Sequence, residues 1–100
     1  MINSALTIPR DALPEFCRRN AIRELAVFGS ATRDDFRPDS DVDLLVEFDP
    51  DAGFGLLEYA RIQRELEALF LRPVDLVEKQ GLKPAIRGEV LREAQVLYAE

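Results

Sequence analysis

Two aspartates, Asp41 and Asp43, stand one residue apart at the head of an apolar run, Val42-Asp43-Leu44-Leu45-Val46. Side chains at i and i+2 of a β-strand point to the same face. The two carboxylates therefore project together, while Val42 and Leu44 turn the other way, into a core. Like charges placed so close repel and raise each other's pKa. A cation relieves that repulsion. Hard oxygen donors suit Mg²⁺, which takes one or two carboxylates and fills its octahedron with water and substrate phosphates.

Upstream, Gly29-Ser30 follows the apolar run Leu25-Ala26-Val27-Phe28, and ten residues separate Ser30 from Asp41. Glycine lets the backbone come close to a ligand, and amides at a following helix N-terminus can hold phosphate. Arg33 comes within one turn, where its guanidinium could reach the same phosphates. The pattern points to a metal-dependent nucleotide site. Plainer readings exist for each part. Gly29-Ser30 could be a simple strand-to-helix turn with a serine cap. Asp41 and Asp43 could serve edge solubility. Asp34, Asp35 and Asp39 could form a solvated acidic loop, and Arg33 a surface ion pair. Ser30 lacks a base and is a poor nucleophile candidate.

Composition narrows the function classes. The 100 residues suit one domain, 1–100, with residues 1–10 as a loose or extended lead-in. That length leaves no room for a separate substrate-binding domain. Hydrophobic residues make up 47% and charged residues 32%, which is globular rather than disordered composition. The formal charge is −6, with no Lys/Arg cluster, so generic nucleic-acid binding is disfavoured. Seven of the nine aspartates lie between Asp34 and Asp51, a window in which Arg37 is the one basic residue. Polyphosphate would avoid that surface unless metal neutralised it. Histidine is absent, which removes Ser-His and Cys-His schemes and the usual zinc sites. The single Cys17 cannot form an intramolecular disulfide and fits a buried filler in a reducing cytoplasm. No stretch reads as a signal peptide or a membrane span.

The positioning elements follow from period and breakers. Asp11 caps a helix through about Asn20, with Leu13, Phe16 and Cys17 on its apolar face. Arg23 to Phe28 is the first strand. Ala31 to Ser40 is a short helix and loop, Val42 to Phe48 the second strand, and Asp49 to Gly53 a turn. Phe54 to Phe70 is a helix with Leu56, Tyr59, Ala60, Gln63, Leu66 and Phe70 at helical spacing. Val74 to Glu78 is the third strand, and Pro84 to Tyr98 the last helix. Asp75 interrupts that third strand between Val74 and Leu76. Buried there, an aspartate costs several kcal/mol unless it is paired or metal-bound.

Gly29-Ser30, ten residues, then Asp41-x-Asp43 resembles the signature of the polymerase-β-like nucleotidyltransferase superfamily. The chain from Phe16 to Tyr98 is similar to its smallest members, the minimal nucleotidyltransferases (MNT), many encoded beside a HEPN-domain toxin. The resemblance extends to the strand Pro73-Val74-Asp75-Leu76-Val77 and to Leu91-Arg92-Glu93-Ala94. Relatives often carry glycine just after the arginine, where this chain has Asp34, and near Leu71. The resemblance implies an α/β fold, a small mixed sheet flanked by helices, in the order α-β-α-β-α-β-α. It implies that Asp41, Asp43 and Asp75 bind two Mg²⁺ ions and are catalytic, with Gly29, Ser30 and Arg33 holding the nucleotide. ATP would donate AMP to a hydroxyl, a tyrosine on a HEPN RNase toxin, within a hetero-oligomer. Two other readings are an inert antitoxin that neutralises the toxin by docking its acidic surface, and a small-molecule nucleotidyltransferase of the antibiotic-modifying kind.

Overall fold

The apolar runs assemble into one mixed sheet. The computed structural model describes residues 2–100. Helix α1 spans Leu13–Arg19, strand β1 Ile22–Phe28, and a single 3₁₀ turn Gly29–Thr32. Strand β2 spans Val42–Phe48, helix α2 Leu56–Phe70 and strand β3 Val74–Glu78. A second 3₁₀ turn at Lys79–Gly81 leads to helix α3, Pro84–Glu93, and strand β4, Gln95–Ala99. The strand order is β3-β2-β1-β4. β1 lies antiparallel to both β2 and β4, while β2 and β3 are parallel and joined through α2. A parallel pair needs such a crossover, and α2 supplies it.

The two faces of the sheet are covered unequally. Leu25 and Val27 of β1, Val42, Leu44 and Val46 of β2, and Val74 and Leu76 of β3 pack under α1 and α2. Cys17, Ile62 and Leu66 close this main core and are fully buried. Burial pushes the Cys17 thiol up to about 11, so it packs as an inert apolar group. On the other face Ala26 and Leu45 meet Leu82 and Val90 in a smaller cluster, with partly buried Phe28, Val77 and Ala94 against it. That thin layer is the face on which the alternating residues Asp43 and Asp75 emerge.

Three expected boundaries are corrected. The last helix does not run to Tyr98: Ala94 turns extended, and Gln95–Ala99 add a fourth strand along the open edge of β1. The run Val96-Leu97-Tyr98 fits a helical stripe as well as a strand, and pairing with β1 decides. The expected helix after Ser30 is only the 3₁₀ turn, which begins at Gly29 itself. Helix α1 starts after Ala12 with no side-chain cap, so Asp11 does not cap it. Residues 2–10 form neither helix nor strand. They are nonetheless pinned by buried Leu6 and by the Asn3 amide, which donates to the Ala31 carbonyl at 2.7 Å.

Helix α2 differs from its expected face at one end. Leu56 and Leu57 are 84% and 83% exposed, and Ile62 is buried instead. The half-buried row Tyr59, Gln63 and Glu67 serves the outer edge of β3. Tyr59 Oη donates to the Leu76 carbonyl, Gln63 Nε2 donates to the Val74 carbonyl at 3.0 Å, and Glu67 Oε2 accepts from the Val74 amide at 3.0 Å. Side chains four apart on a helix share one row, so one row satisfies an edge that is otherwise open to pairing. Tyr59 is thus a packing residue, edge-on to Phe48 at 6.2 Å. Among the described residues no helix is long and apolar enough to cross a membrane.

Helix α2 ends on Leu71 in the left-handed region, with φ 57° and ψ 37°, and its amide donates to the Glu67 carbonyl. The conformation costs an L-residue roughly 1–2 kcal/mol, and glycine escapes it. The Leu71 side chain is 86% exposed and packs on little. Leu71→Gly should therefore stabilise the domain by about 0.5–1 kcal/mol in urea unfolding. Equal or lower stability would show that the cap is not strained.

Candidate active site

Gly29 and Asp43 define the tightest approach on the thin face. Gly29 is buried at the end of β1 with φ 72°, and Phe28 lies opposite Asp43 in the β1–β2 register. A Cβ built on Gly29 would sit 2.2 Å from Asp43 Oδ2. The glycine is needed twice over: for its left-handed backbone and for the space its missing side chain leaves to the carboxylate. The 3₁₀ turn that follows is closed by Thr32 Oγ1, which donates to the Gly29 carbonyl at 2.7 Å, and by the Arg33 amide, which donates to the Ser30 carbonyl at 2.9 Å. Ser30 is half-buried in that turn, and Arg33 is exposed just past it.

Asp43 also lies directly opposite Asp75 in the parallel β2–β3 register. Neighbouring strands are about 4.8 Å apart, and side chains opposite one another share a face. Asp41 precedes β2 by one residue and is exposed at the end of the acidic loop. Burial, then the charges of Asp75 and Asp41, push the Asp43 carboxyl up to about 6, against a smaller opposing pull from Arg33. Asp75 itself is exposed between buried Val74 and Leu76, so it carries no burial penalty. The five ion pairs among the described residues leave Asp41, Asp43 and Asp75 without a cationic partner.

Among the described residues no three His, Cys, Asp or Glu side chains already enclose a point where a metal ion could sit. Asp43 and Asp75 are neighbours on one face, with the Asp41 charge acting on Asp43 from the preceding loop, rather than a closed cage. Such a donor set fits Mg²⁺, which completes its shell with water and phosphate oxygens rather than with an all-protein cage. The unpaired charge at Asp43 and the opening kept by Gly29 are what a cation carrying phosphates would fill.

Two residues that the sequence did not single out hold this arrangement. Glu93, the last residue of α3, accepts from the Gly29 amide at 2.9 Å and from Arg33 Nη1 at 3.1 Å. Arg72 stacks over Phe36 at 4.5 Å and donates to the carbonyls of Arg37, Pro38 and Ser40, fixing the loop that delivers Asp41. A Pro-flanked loop offering several free carbonyls is the signal for Arg72. Glu93 lies in the matched stretch Leu91-Arg92-Glu93-Ala94, but its spacing gave it no role, because its place depends on β4. A groove lined by Phe48, Pro50, Phe54 and Lys79 lies at the opposite end of β2 from Asp43 and holds none of these residues.

A nucleotidyltransferase-domain family profile matches residues 10–97. The chain is 44% identical to a protein of Thermococcus cleftensis named protein adenylyltransferase MntA, over 92% of this chain and 88% of that one. Its fold is similar to that of a toxin–antitoxin crystal structure with AMP-PNP, at a TM-score of 0.72 and 17% identity, covering 91% of this chain and 73% of that one. It is also similar to a chain in the structure of tri-AMPylated Shewanella oneidensis HEPN toxin in complex with MNT antitoxin. There the TM-score is 0.65 at 16% identity, covering 92% of this chain and 71% of that one.

Two outcomes follow for the metal-free domain. Gly29→Ala combines a strained backbone with a collision at Asp43 and should cost about 1–3 kcal/mol in denaturant unfolding; wild-type stability in that variant would contradict the geometry. Asp43 has a folded pKa near 6, above the ordinary value of 3.8. Its favourable contribution is complete below pH 3.8 and is lost as pH rises through 6. Asp43→Asn should therefore melt above wild type at pH 8, on the order of 1 kcal/mol or several degrees after discounting for solvent screening. That advantage should shrink at about pH 4. An equal difference at both pH values would contradict the account.

Proposed function

The chain belongs to the nucleotidyltransferase domain family, and from that premise we propose that it transfers AMP from ATP to a hydroxyl of a partner protein. The partner we infer is a HEPN RNase toxin, the acceptor a tyrosine on it, and the outcome silencing of the toxin. This makes the chain a cytoplasmic antitoxin that works within a hetero-oligomer. The observation that carries the reading is the side-by-side register of Asp43 and Asp75 on the thin sheet face, beside the Gly29 turn. The 44% identity to a named protein adenylyltransferase supports the choice of reaction.

Asp41, Asp43 and Asp75 would hold two Mg²⁺ ions. When bound, the metal supplies neutralisation of the triphosphate and a lowered pKa for the acceptor hydroxyl. The chain's own residues do the rest. Ser30 offers its hydroxyl and amide to the phosphates from a turn held closed by Thr32. Arg33 offers its guanidinium to the same group. Asp43, between Asp41 and Asp75, sits at the centre of the negative charge that draws the cation in. Pyrophosphate leaves as the new bond forms between the acceptor oxygen and the α-phosphorus, and the acceptor's proton passes to solvent. The thin face leaves these groups open to a large substrate such as a protein side chain.

Asp43→Asn should fold and abolish transfer, with a loss on the order of 100-fold or more. The check is label transfer from radioactive ATP, together with the intact mass of the co-expressed partner. Full labelling by the variant sinks the reading. If the variant with all three aspartates replaced still rescues growth and no mass is added to the partner, stoichiometric docking is the function instead.

A further inference from the structure

Glu93 divides its carboxylate between two groups of the nucleotide turn. One oxygen accepts from the Gly29 amide at 2.9 Å, the other from Arg33 Nη1 at 3.1 Å. The β1–β4 register explains the reach: Val27 lies opposite Gln95, so two residues further along Gly29 faces Glu93. The Glu93 side chain is 23% exposed, the guanidinium of Arg33 more so. Arg33 Nε meets Asp35 Oδ1 at 3.3 Å as well. The planar fork is thus gripped on two sides, which leaves Nη2 without a protein acceptor among the described residues. One carboxylate ties the glycine of the turn to the arginine beyond it, and anchors both to the end of α3.

We propose that Glu93 is a positioning residue for nucleotide binding: it holds the Gly29–Ser30 turn and the Arg33 guanidinium at a fixed separation, so that both meet the phosphates of one bound nucleotide. The assignment rests on the nucleotidyltransferase reading above. Glu93 touches no substrate in this role and acts through Arg33 and Gly29. Its own negative charge is felt at Asp43, and the ion pair with Arg33 offsets part of the repulsion it would exert on the phosphates. The opposite role on the same geometry is competition, with the carboxylate occupying groups that phosphate must win. The two roles predict opposite signs.

The test is calorimetric titration of the full chain with AMP-PNP and Mg²⁺, paired with steady-state transfer kinetics. Glu93→Gln keeps an oxygen for the Gly29 amide and loses the charge facing Arg33. It should weaken AMP-PNP binding and raise KM for ATP about 3- to 10-fold, with kcat changed less than about 3-fold. Glu93→Ala should weaken binding further. In an Arg33→Ala background, Glu93→Gln should add less than about 2-fold, because the two act as a unit. Equal or tighter AMP-PNP binding by Glu93→Gln overturns the assignment, as does a full additional loss in the Arg33→Ala background. Wild type that binds no nucleotide overturns the underlying reading with it. Wild type that binds while Glu93→Gln binds equally well overturns only the role of Glu93.

Discussion

The register that buries the core also sets two carboxylates side by side. Val42, Leu44 and Val46 of β2 align with Val74, Leu76 and Glu78 of β3, and the buried members of this set form the floor of the main core. A slip of one residue would turn every one of those side chains to the wrong face. Asp43 and Asp75 share that register and cannot move apart without it. Their repulsion is therefore locked in by hydrophobic burial, which far outweighs the electrostatic cost at a partly solvated carboxyl. The fold accepts a local penalty at the place where a cation would remove it.

Several features keep the place open. The face that carries Asp43 and Asp75 has only a small buried cluster, Ala26, Leu45, Leu82 and Val90, with partly buried Phe28, Val77 and Ala94 beside it. Gly29 has no side chain to fill the space beside Asp43. Arg72 collects three loop carbonyls and stacks on Phe36, so the segment leading to Asp41 is held without a helix or strand of its own. On the far side, α2 both covers the main core and closes the outer edge of β3 through Tyr59, Gln63 and Glu67. The crowded face supplies rigidity, and the sparse face supplies access.

Much of this was legible from residue type and spacing. Strands of period two with charged residues set among apolar ones gave β1, β2 and β3 nearly to the residue, with Asp43 and Asp75 each on a strand and Asp41 just before the second; the pairing of those two strands is seen in the register. The class, a small mixed sheet with helices, followed with the family resemblance. What was hidden depended on contacts distant in sequence. Residues 95–99 fit a helical stripe and a strand equally well, and only the free edge of β1 selects the strand. Glu93 was hidden with them, since its carboxylate reaches Gly29 only because β4 turns back along β1. Leu56 has the spacing of a buried face, yet the core ends below it. Periodicity shows which side of a helix is apolar, not how far the core extends along it.

The central claim is that Asp41, Asp43 and Asp75 together form a divalent-cation seat that a nucleotide completes. Crystals grown with Mn²⁺ and AMP-PNP test it directly by anomalous scattering. The account predicts anomalous peaks between the carboxylates of Asp43 and Asp75, shared with Asp41 and with phosphate oxygens lying against the Gly29–Ser30 turn. A bound nucleotide with no peak at those carboxylates, or with its phosphates elsewhere on the sheet, would contradict it.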